Sequence, residues 1–169
     1  FALRRWKGFE EKAPLFGAAA EYAYRTYGLT PVFVAVEKHL DPGAGQLAAR
    51  GLTIPHYFLD DAGGAGTIIG ALSRMQAVVS MRLHALIFAA GQGIPLAGVV
   101  YDPKVSAFLR YIGQENFQDL SSLTLERLKA MIDQAVGAPV SPEAQAAAVQ
   151  KLRQTEQVNM ETARRLLGK

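Results

Sequence analysis

Short apolar runs that recur between helical segments constrain the fold of this chain more than any other feature. Residues 31–36 and 96–101 are rich in Val and lack an alternating polar face. Such runs indicate strands covered on both sides, as in a parallel sheet, because a strand with one wet face would alternate apolar and polar residues. Each run is followed by a segment with helical periodicity or with helix start and stop residues. We therefore expect strands and helices to alternate along the chain.

The alternation begins at the first residue. The expected strands are residues 1–6, 31–36, 54–59, 77–80 and 96–101. The expected helices are a run with Pro14 in its first turn that ends at Gly28, a short helix that closes over residues 47–51, and residues 67–75, 83–92, 103–112, 124–136 and 141–167. Strands joined by helices need right-handed crossover connections. The predicted fold class is α/β, with a doubly wound, mostly parallel, Rossmann-like sheet.

Composition favours a single domain with a mild preference for anionic ligands. A chain of 169 residues, half of them apolar, can bury one core, so residues 1–169 are predicted to form one domain in which 141–169 is a long C-terminal helix. The net charge of +3 is spread without a basic run, which argues against a nucleic-acid partner. The first residue already lies in an expected strand and is not Met, so we expect a piece of a longer protein.

The same composition argues against metal sites and membrane spans. The chain has no cysteine, and its three histidines are not spaced like metal ligands, so no metal site is expected. The absence of cysteine also fits the cytoplasm. The longest apolar stretches are far shorter than the roughly 20 residues that a transmembrane helix needs.

Charged side chains follow the expected strands at the points where those strands end. In a parallel α/β sheet, ligands bind beyond the carboxyl ends of the strands, where helix N-termini present free N–H groups. The residues at these points are Arg4 to Lys7, Glu37 to His39, Asp60 and Asp61, Met81 to His84, and Tyr101 to Lys104. The sequence therefore predicts a pocket for a small, multiply charged anion at this edge.

Arg82 and His84 are the strongest candidates, because they stand where the fourth expected strand turns into an otherwise apolar helix. An arginine presents a planar fork of donors to a carboxylate or phosphate, and a histidine exchanges a proton near neutral pH. The alternative is that Arg82 is solvated and that His84 lies at the edge of the core, bonded to a backbone carbonyl.

Weaker candidates flank this pair. Asp102 and Lys104 lie at the same edge, although Asp102 followed by proline is also a normal helix cap. The glycines of residues 64–70 resemble a dinucleotide fingerprint with the last glycine one residue late, so a flexible loop is the alternative to a phosphate contact. His39 and His56 are isolated in the sequence.

Three blocks of sequence resemble the polysaccharide pyruvyl transferase family. Residues 79–90 read VSMRLHALIFAA, residues 93–96 read GIPL, and residues 100–105 read VYDPKV. Residues 3–6, LRRW, are similar to the strand that opens the second domain of that family. The resemblance covers residues 1 to about 137 and is greatest to the branch that pyruvylates secondary cell-wall polysaccharides.

The resemblance implies a two-domain architecture of the GT-B type, with this chain as the C-terminal, donor-binding half and an N-terminal domain as its partner. It implies phosphoenolpyruvate as the donor, a saccharide acceptor attached to a lipid, and no cofactor. The implied donor contacts are Arg82, His84 and either Arg4 or Arg5. Our hypothesis is that His84 binds the phosphate and carries the catalytic proton, because a histidine exchanges protons near neutral pH. It further implies a cytoplasmic enzyme, peripheral at the inner membrane face.

Two other functions fit the same pattern. A nucleotide-sugar glycosyltransferase or epimerase would use a similar C-terminal half and would need an acidic residue for the ribose, which Asp60 or Asp61 could supply. A non-catalytic module would instead use the long C-terminal helix to pack on a partner.

Overall fold

A computed structural model describes residues 1–61, 63–137 and 142–168 of the chain. The strands are β1 (Val32–Val34), β2 (Tyr57–Leu59), β3 (Val78–Ser80), β4 (Leu96–Val100) and β5 (Phe117–Asp119). The α-helices are α1 (Phe9–Tyr27), α2 (Pro42–Ala48), α3 (Ala65–Leu72), α4 (Leu83–Gly91), α5 (Pro103–Tyr111), α6 (Leu125–Gly137) and α7 (Pro142–Leu166). The predicted α/β class with parallel strands is confirmed.

The strands form two parallel sheets with the first residues of the chain between them. One sheet pairs β1 with β2, and the other has the order β3, β4, β5. Phe1 accepts a hydrogen bond from Val34 of β1, and Ala2 donates to Val79 and accepts from Met81 at β3. The N-terminal segment is therefore hydrogen-bonded to both sheets, and the carboxyl ends of all the parallel strands lie along one edge.

Helices cover both faces of these strands. Successive residues of a strand point to opposite faces, so each strand contributes side chains to two apolar clusters. Phe33 and Val79 pack in a cluster with apolar residues of α1, α2 and α6. Their neighbours Val34 and Val78 pack in a second cluster with residues of α3, α4 and α5. The apolar runs of β1 and β3 thus have the two-sided burial that the sequence predicts.

The start of α1 differs from the prediction that Pro14 lies in a first turn. The helix begins at Phe9, so Pro14 lies inside it, with an exposed side chain. Proline in a helix interior removes one hydrogen bond. Tertiary packing overrides that cost, because Phe9, Ala13 and Phe16 form a fully buried stripe at helical spacing.

Two further elements differ from the sequence prediction. The expected strand at residues 1–6 has a single bridge, between Ala2 and Ser80, after which the chain turns away. Strand β5 has no counterpart among the expected strands. It is a short edge strand whose residues are only partly buried, so no apolar pattern marks it.

The C-terminal elements follow the prediction more closely. Asp102 caps α5 by accepting a hydrogen bond from the Lys104 amide at 3.0 Å. The long C-terminal helix is α7, whose described residues begin at Pro142; the expected start at Ser141 lies outside the described residues.

Across the described ranges, none of the helices combines the length and apolar character that crossing a membrane requires.

Candidate functional site

Two clefts open at the carboxyl edge of the strands. The first, which we call the Arg82 cleft, has a volume of about 610 Å³ and is lined by residues 35–39, 61, 63–65, 68, 82, 84 and 88. The second, the Trp6 cleft, has a volume of about 630 Å³ and is lined by residues 6–8, 11, 12, 100–103, 106 and 119–121. Both volumes are in the usual range for small-molecule sites. The charged residues that the sequence assigns to one edge are therefore divided between two clefts.

The turn that delivers Arg82 to its cleft is fixed by a buried hydroxyl. Ser80, the last residue of β3, accepts a hydrogen bond from the Arg82 amide at 2.9 Å. Its Oγ also lies 3.0 Å from the Arg82 carbonyl and 3.2 Å from the Ala2 carbonyl, and can donate its one proton to either. Arg82 consequently occupies the N-cap position of α4 in an extended conformation.

The Arg82 guanidinium is buried against an acidic partner. Its Nε lies 3.2 Å from Asp41 Oδ2, and the two side chains are only 11% and 0% exposed. The same Asp41 oxygen accepts hydrogen bonds from the Val36 and Glu37 amides, at 3.1 and 2.8 Å. Asp41 therefore joins the loop after β1 to the start of α4. This arrangement contradicts the alternative in which Arg82 is solvated.

Burial raises the pKa of the Asp41 carboxyl above its ordinary value, against the opposing effects of the Glu37 amide and the Arg82 charge. The other carboxylate oxygen, Oδ1, is buried and has no hydrogen-bond partner among the described residues. The Val36 and Glu37 amides and the Arg82 guanidinium thus all contact Oδ2 of Asp41. The Arg82 terminal amino groups have no hydrogen-bond partner within the described ranges, which leaves them free to bind a ligand.

His84 lies in the first turn of α4 with an exposed side chain that lines the Arg82 cleft. Its ring packs near Phe88, with 6.2 Å between centroids. The described residues offer it no backbone carbonyl partner, so the alternative of a histidine tied to the core edge does not hold.

His39 and Lys38 also line the Arg82 cleft, in agreement with their predicted place at the end of the second expected strand, although the sequence does not single them out as donor contacts. Lys38 makes a long, exposed ion pair of 3.8 Å with Asp61, which lines the same cleft. His56 lies elsewhere, with its Nδ1 2.9 Å from the Ile54 carbonyl oxygen.

Arg4 and Arg5, which the sequence leaves as alternatives, have different surroundings. Arg5 makes a surface ion pair of 2.7 Å with Glu10. Arg4 stacks on the Trp6 ring at 5.3 Å and lies 3.4 Å from the Tyr101 hydroxyl. Its charge also lies close enough to favour the ionised form of Asp41. Arg4 is therefore the arginine that turns inward at this edge.

Asp102 and Lys104 lie on the other side of the edge from Arg82. Asp102 lines the Trp6 cleft and caps α5, as described above. The Lys104 Nζ lies 3.7 Å from the Asp102 carboxylate and is half exposed. The geometry does not bring this pair into the Arg82 cleft. Among the residues described, no cluster of three or more side chains is arranged to hold a metal ion.

The fold and the clefts define an α/β domain whose polar binding surface lies at the carboxyl ends of parallel strands. A family model described as polysaccharide pyruvyl transferase matches residues 18–103, just over half of the chain. The chain belongs to the polysaccharide pyruvyl transferase family, a family of transferases. The matched segment contains Asp41, Arg82 and His84 but neither Arg4 nor Lys104. No curated protein and no solved structure matches the chain.

Proposed function

We propose that this chain binds phosphoenolpyruvate in the Arg82 cleft and serves the transfer of its three-carbon group to two hydroxyls of a saccharide, forming a cyclic pyruvyl ketal. One observation carries the proposal. Arg82 and His84 line the same cleft at the N-terminus of α4, inside the segment that matches the family. An arginine, a histidine and a helix N-terminus together suit an anion that undergoes proton transfer.

The charge distribution of the donor fits this cleft. Phosphoenolpyruvate carries a carboxylate and a phosphate on adjacent positions, so it needs two groups of donors. The terminal amino groups of Arg82 can bind one anionic group, and the first free amides of α4 can bind the other. Lys38 and His39 also line the cleft and can add donors. Asp41 keeps the guanidinium in place while using only its Nε.

His84 is the residue we assign to proton transfer and phosphate binding. The enol methylene carbon takes a proton, and C2 becomes electrophilic. One acceptor hydroxyl adds to C2 and loses its proton, and the C2–O bond to phosphate breaks. A second hydroxyl then adds to C2, loses its proton and closes the ketal. The two hydroxyls release two protons in all. One replaces the proton taken up by the methylene carbon, and the other leaves with the phosphate. An exposed imidazole at the cleft can serve these steps, since histidine is the side chain most often used for general acid and base catalysis.

The arrangement of strands supports the larger architecture that we propose. With the N-terminal segment counted as a strand, the spatial order is β2, β1, N-terminal segment, β3, β4, β5. This is the strand order of a doubly wound, Rossmann-like sheet. We infer that the domain is the C-terminal half of a GT-B enzyme, which acts in the cytoplasm at the inner membrane face on a lipid-linked acceptor and with an N-terminal partner domain.

Calorimetric titration of the chain with phosphoenolpyruvate tests the proposal. The account predicts saturable binding to the wild type and at least about tenfold weaker binding to His84→Ala, a loss of about 1.4 kcal/mol. Arg82→Lys keeps the charge opposite Asp41 but loses the planar fork, so it too should bind more weakly. His56→Ala, which lies outside the cleft, is the matched control. Binding of a uridine nucleotide but not of phosphoenolpyruvate would instead favour the nucleotide-sugar enzymes.

A further inference from the structure

The Trp6 cleft has the features of a second binding site, separate from the Arg82 cleft. It is as large as the Arg82 cleft and is lined by residues that follow the N-terminal segment, β4 and β5. Trp6 stands on its wall with 43% of its surface exposed. A large aromatic side chain exposed in a concave site is typical of a binding surface.

The Trp6 ring is held in a fixed orientation by its neighbours. It lies 5.0 Å from the Tyr101 ring, with an interplanar angle of 59°. The Arg4 guanidinium contacts both rings, at 5.3 Å from the Trp6 centroid and 5.8 Å from the Tyr101 centroid. The Trp6 carbonyl also accepts a hydrogen bond from the Phe9 amide, which ties the residue to the start of α1. The aromatic surface is therefore preorganised, which lowers the entropic cost of binding.

Polar side chains surround this aromatic surface. Glu11 and Asp119 are exposed and line the cleft, and in the described part of the chain their carboxylates have no hydrogen-bond or ion-pair partner. Lys7 and Ser121 line the cleft as well. Carboxylates accept and ammonium groups donate, so the cleft can bind groups that both donate and accept hydrogen bonds.

We propose that the Trp6 cleft binds a pyranose ring of the saccharide acceptor, with one C–H face of the ring stacked on Trp6 and its hydroxyls bonded to Glu11 and Asp119. A sugar ring is a ligand of this chemistry, because it has an apolar face and a rim of hydroxyls that donate and accept. The cleft is lined by three acidic side chains, Glu11, Asp102 and Asp119, against two lysines, Lys7 and Lys12, and this excess of negative charge disfavours a phosphate or carboxylate ligand here. The identification of the ligand as a saccharide acceptor rests on the proposed function. It places the donor and the acceptor in two neighbouring clefts at the carboxyl edge of the strands.

The chain has a single tryptophan, so its fluorescence reports on this cleft alone. The chain is titrated with a panel of methyl hexopyranosides, methyl N-acetylhexosaminides and their disaccharides, in the presence and absence of phosphoenolpyruvate. The expected result is a saturable change in emission with at least one member of the panel. No saturable change with any member, up to the solubility limit and with the donor present, overturns the proposal.

Variants locate the binding by saturation-transfer NMR, which detects sugar protons in contact with the protein. Trp6→Ala should weaken saccharide binding by about tenfold or more, and Asp119→Asn should weaken it without removing the aromatic ring. Tyr111→Ala removes an exposed aromatic residue outside both clefts and should bind as the wild type does. Retained saccharide binding in both Trp6→Ala and Asp119→Asn overturns the proposal.

Phosphoenolpyruvate binding separates this site from the proposed function. Asp119→Asn should titrate with phosphoenolpyruvate like the wild type, since Asp119 does not line the Arg82 cleft. Failure of the wild type to bind phosphoenolpyruvate would contradict the donor assignment, whatever the saccharides do. Normal phosphoenolpyruvate binding together with absent saccharide binding would contradict the acceptor site alone.

Discussion

The Nε of Arg82 lies 3.2 Å from Oδ2 of Asp41, and both side chains are almost completely removed from solvent. The contact joins residues 41 positions apart, one on the loop after β1 and one at the start of α4. A buried guanidinium needs its counter-charge, because an uncompensated charge in a low-dielectric interior costs several kcal/mol. Asp41 therefore supports the geometry of the donor cleft without lining it.

Replacing Asp41 with Ala should destabilise the chain by about 3–5 kcal/mol, the usual cost of removing one partner of a buried ion pair. The change also leaves the Val36 and Glu37 amides without their acceptor. Urea unfolding measures the loss. Asp41→Asn keeps the shape and one acceptor oxygen, so it should lose less. A free energy of unfolding for Asp41→Ala within about 1 kcal/mol of the wild type would contradict the role of the pair.

Two helical glycines should respond to alanine in opposite directions. A Cβ at Gly17 of α1 would overlap the Ala48 carbonyl oxygen of α2, so Gly17→Ala should separate the helices and cost about 1–3 kcal/mol. A Cβ at Gly70 of α3 would meet nothing within 4 Å. Gly70→Ala should therefore stabilise the chain by about 0.5–1 kcal/mol through helix propensity. Thermal unfolding of the two variants checks the prediction, and equal effects of the same sign would refute the close approach of α1 and α2.

The hydroxyls of Tyr22 and Tyr27 both donate to Asp133 Oδ1, at 2.7 Å each. The hydrogen bond to Asp133 raises the pKa of Tyr27 from 10.0 to about 12. A folded pKa above the unfolded one means that the stabilisation is complete below pH 10 and is lost as the pH rises through 12. Tyrosinate absorbance should show this late ionisation in the wild type and a smaller late phase in Tyr27→Phe, because the hydrogen bond to Asp133 raises the pKa of Tyr22 as well. Asp133→Asn should shift it to lower pH, and an unchanged titration in that variant would show that the hydrogen bond is not its cause.

The periodicity of the sequence predicts the buried part of the sheet, and it fails at the margins. Strands β1, β3 and β4 are found because both of their faces are apolar. Strand β5 is missed because a three-residue edge strand carries no such pattern. The apolar residues Phe9, Ala13 and Phe16 have helical spacing and indicate the true start of α1. The prediction places the start later because proline is most common in the first turn of a helix, and Pro14 is taken to mark that turn.

The candidate site divides in the same way. Arg82 and His84 are recognisable because they lie where a strand is followed by a helix, and in a parallel α/β sheet such a junction lies at the carboxyl edge. The role of Asp41 is not recognisable from the sequence. An aspartate before Pro42 indicates a helix cap, but the Asp41 side chain instead accepts hydrogen bonds from the amides of residues 36 and 37 and pairs with Arg82. The division of the edge into two clefts depends on tertiary packing, and no local pattern predicts it.

The most direct test of the donor assignment is NMR of the imidazole resonances during titration with phosphoenolpyruvate. The chain has three histidines, of which His39 and His84 line the Arg82 cleft and His56 does not, so the third is an internal control. Single substitutions to Gln assign the signals. The account predicts that the resonances of His84 and His39 move with one common saturation curve while that of His56 stays in place. A His84 resonance that does not respond to saturating phosphoenolpyruvate would contradict it.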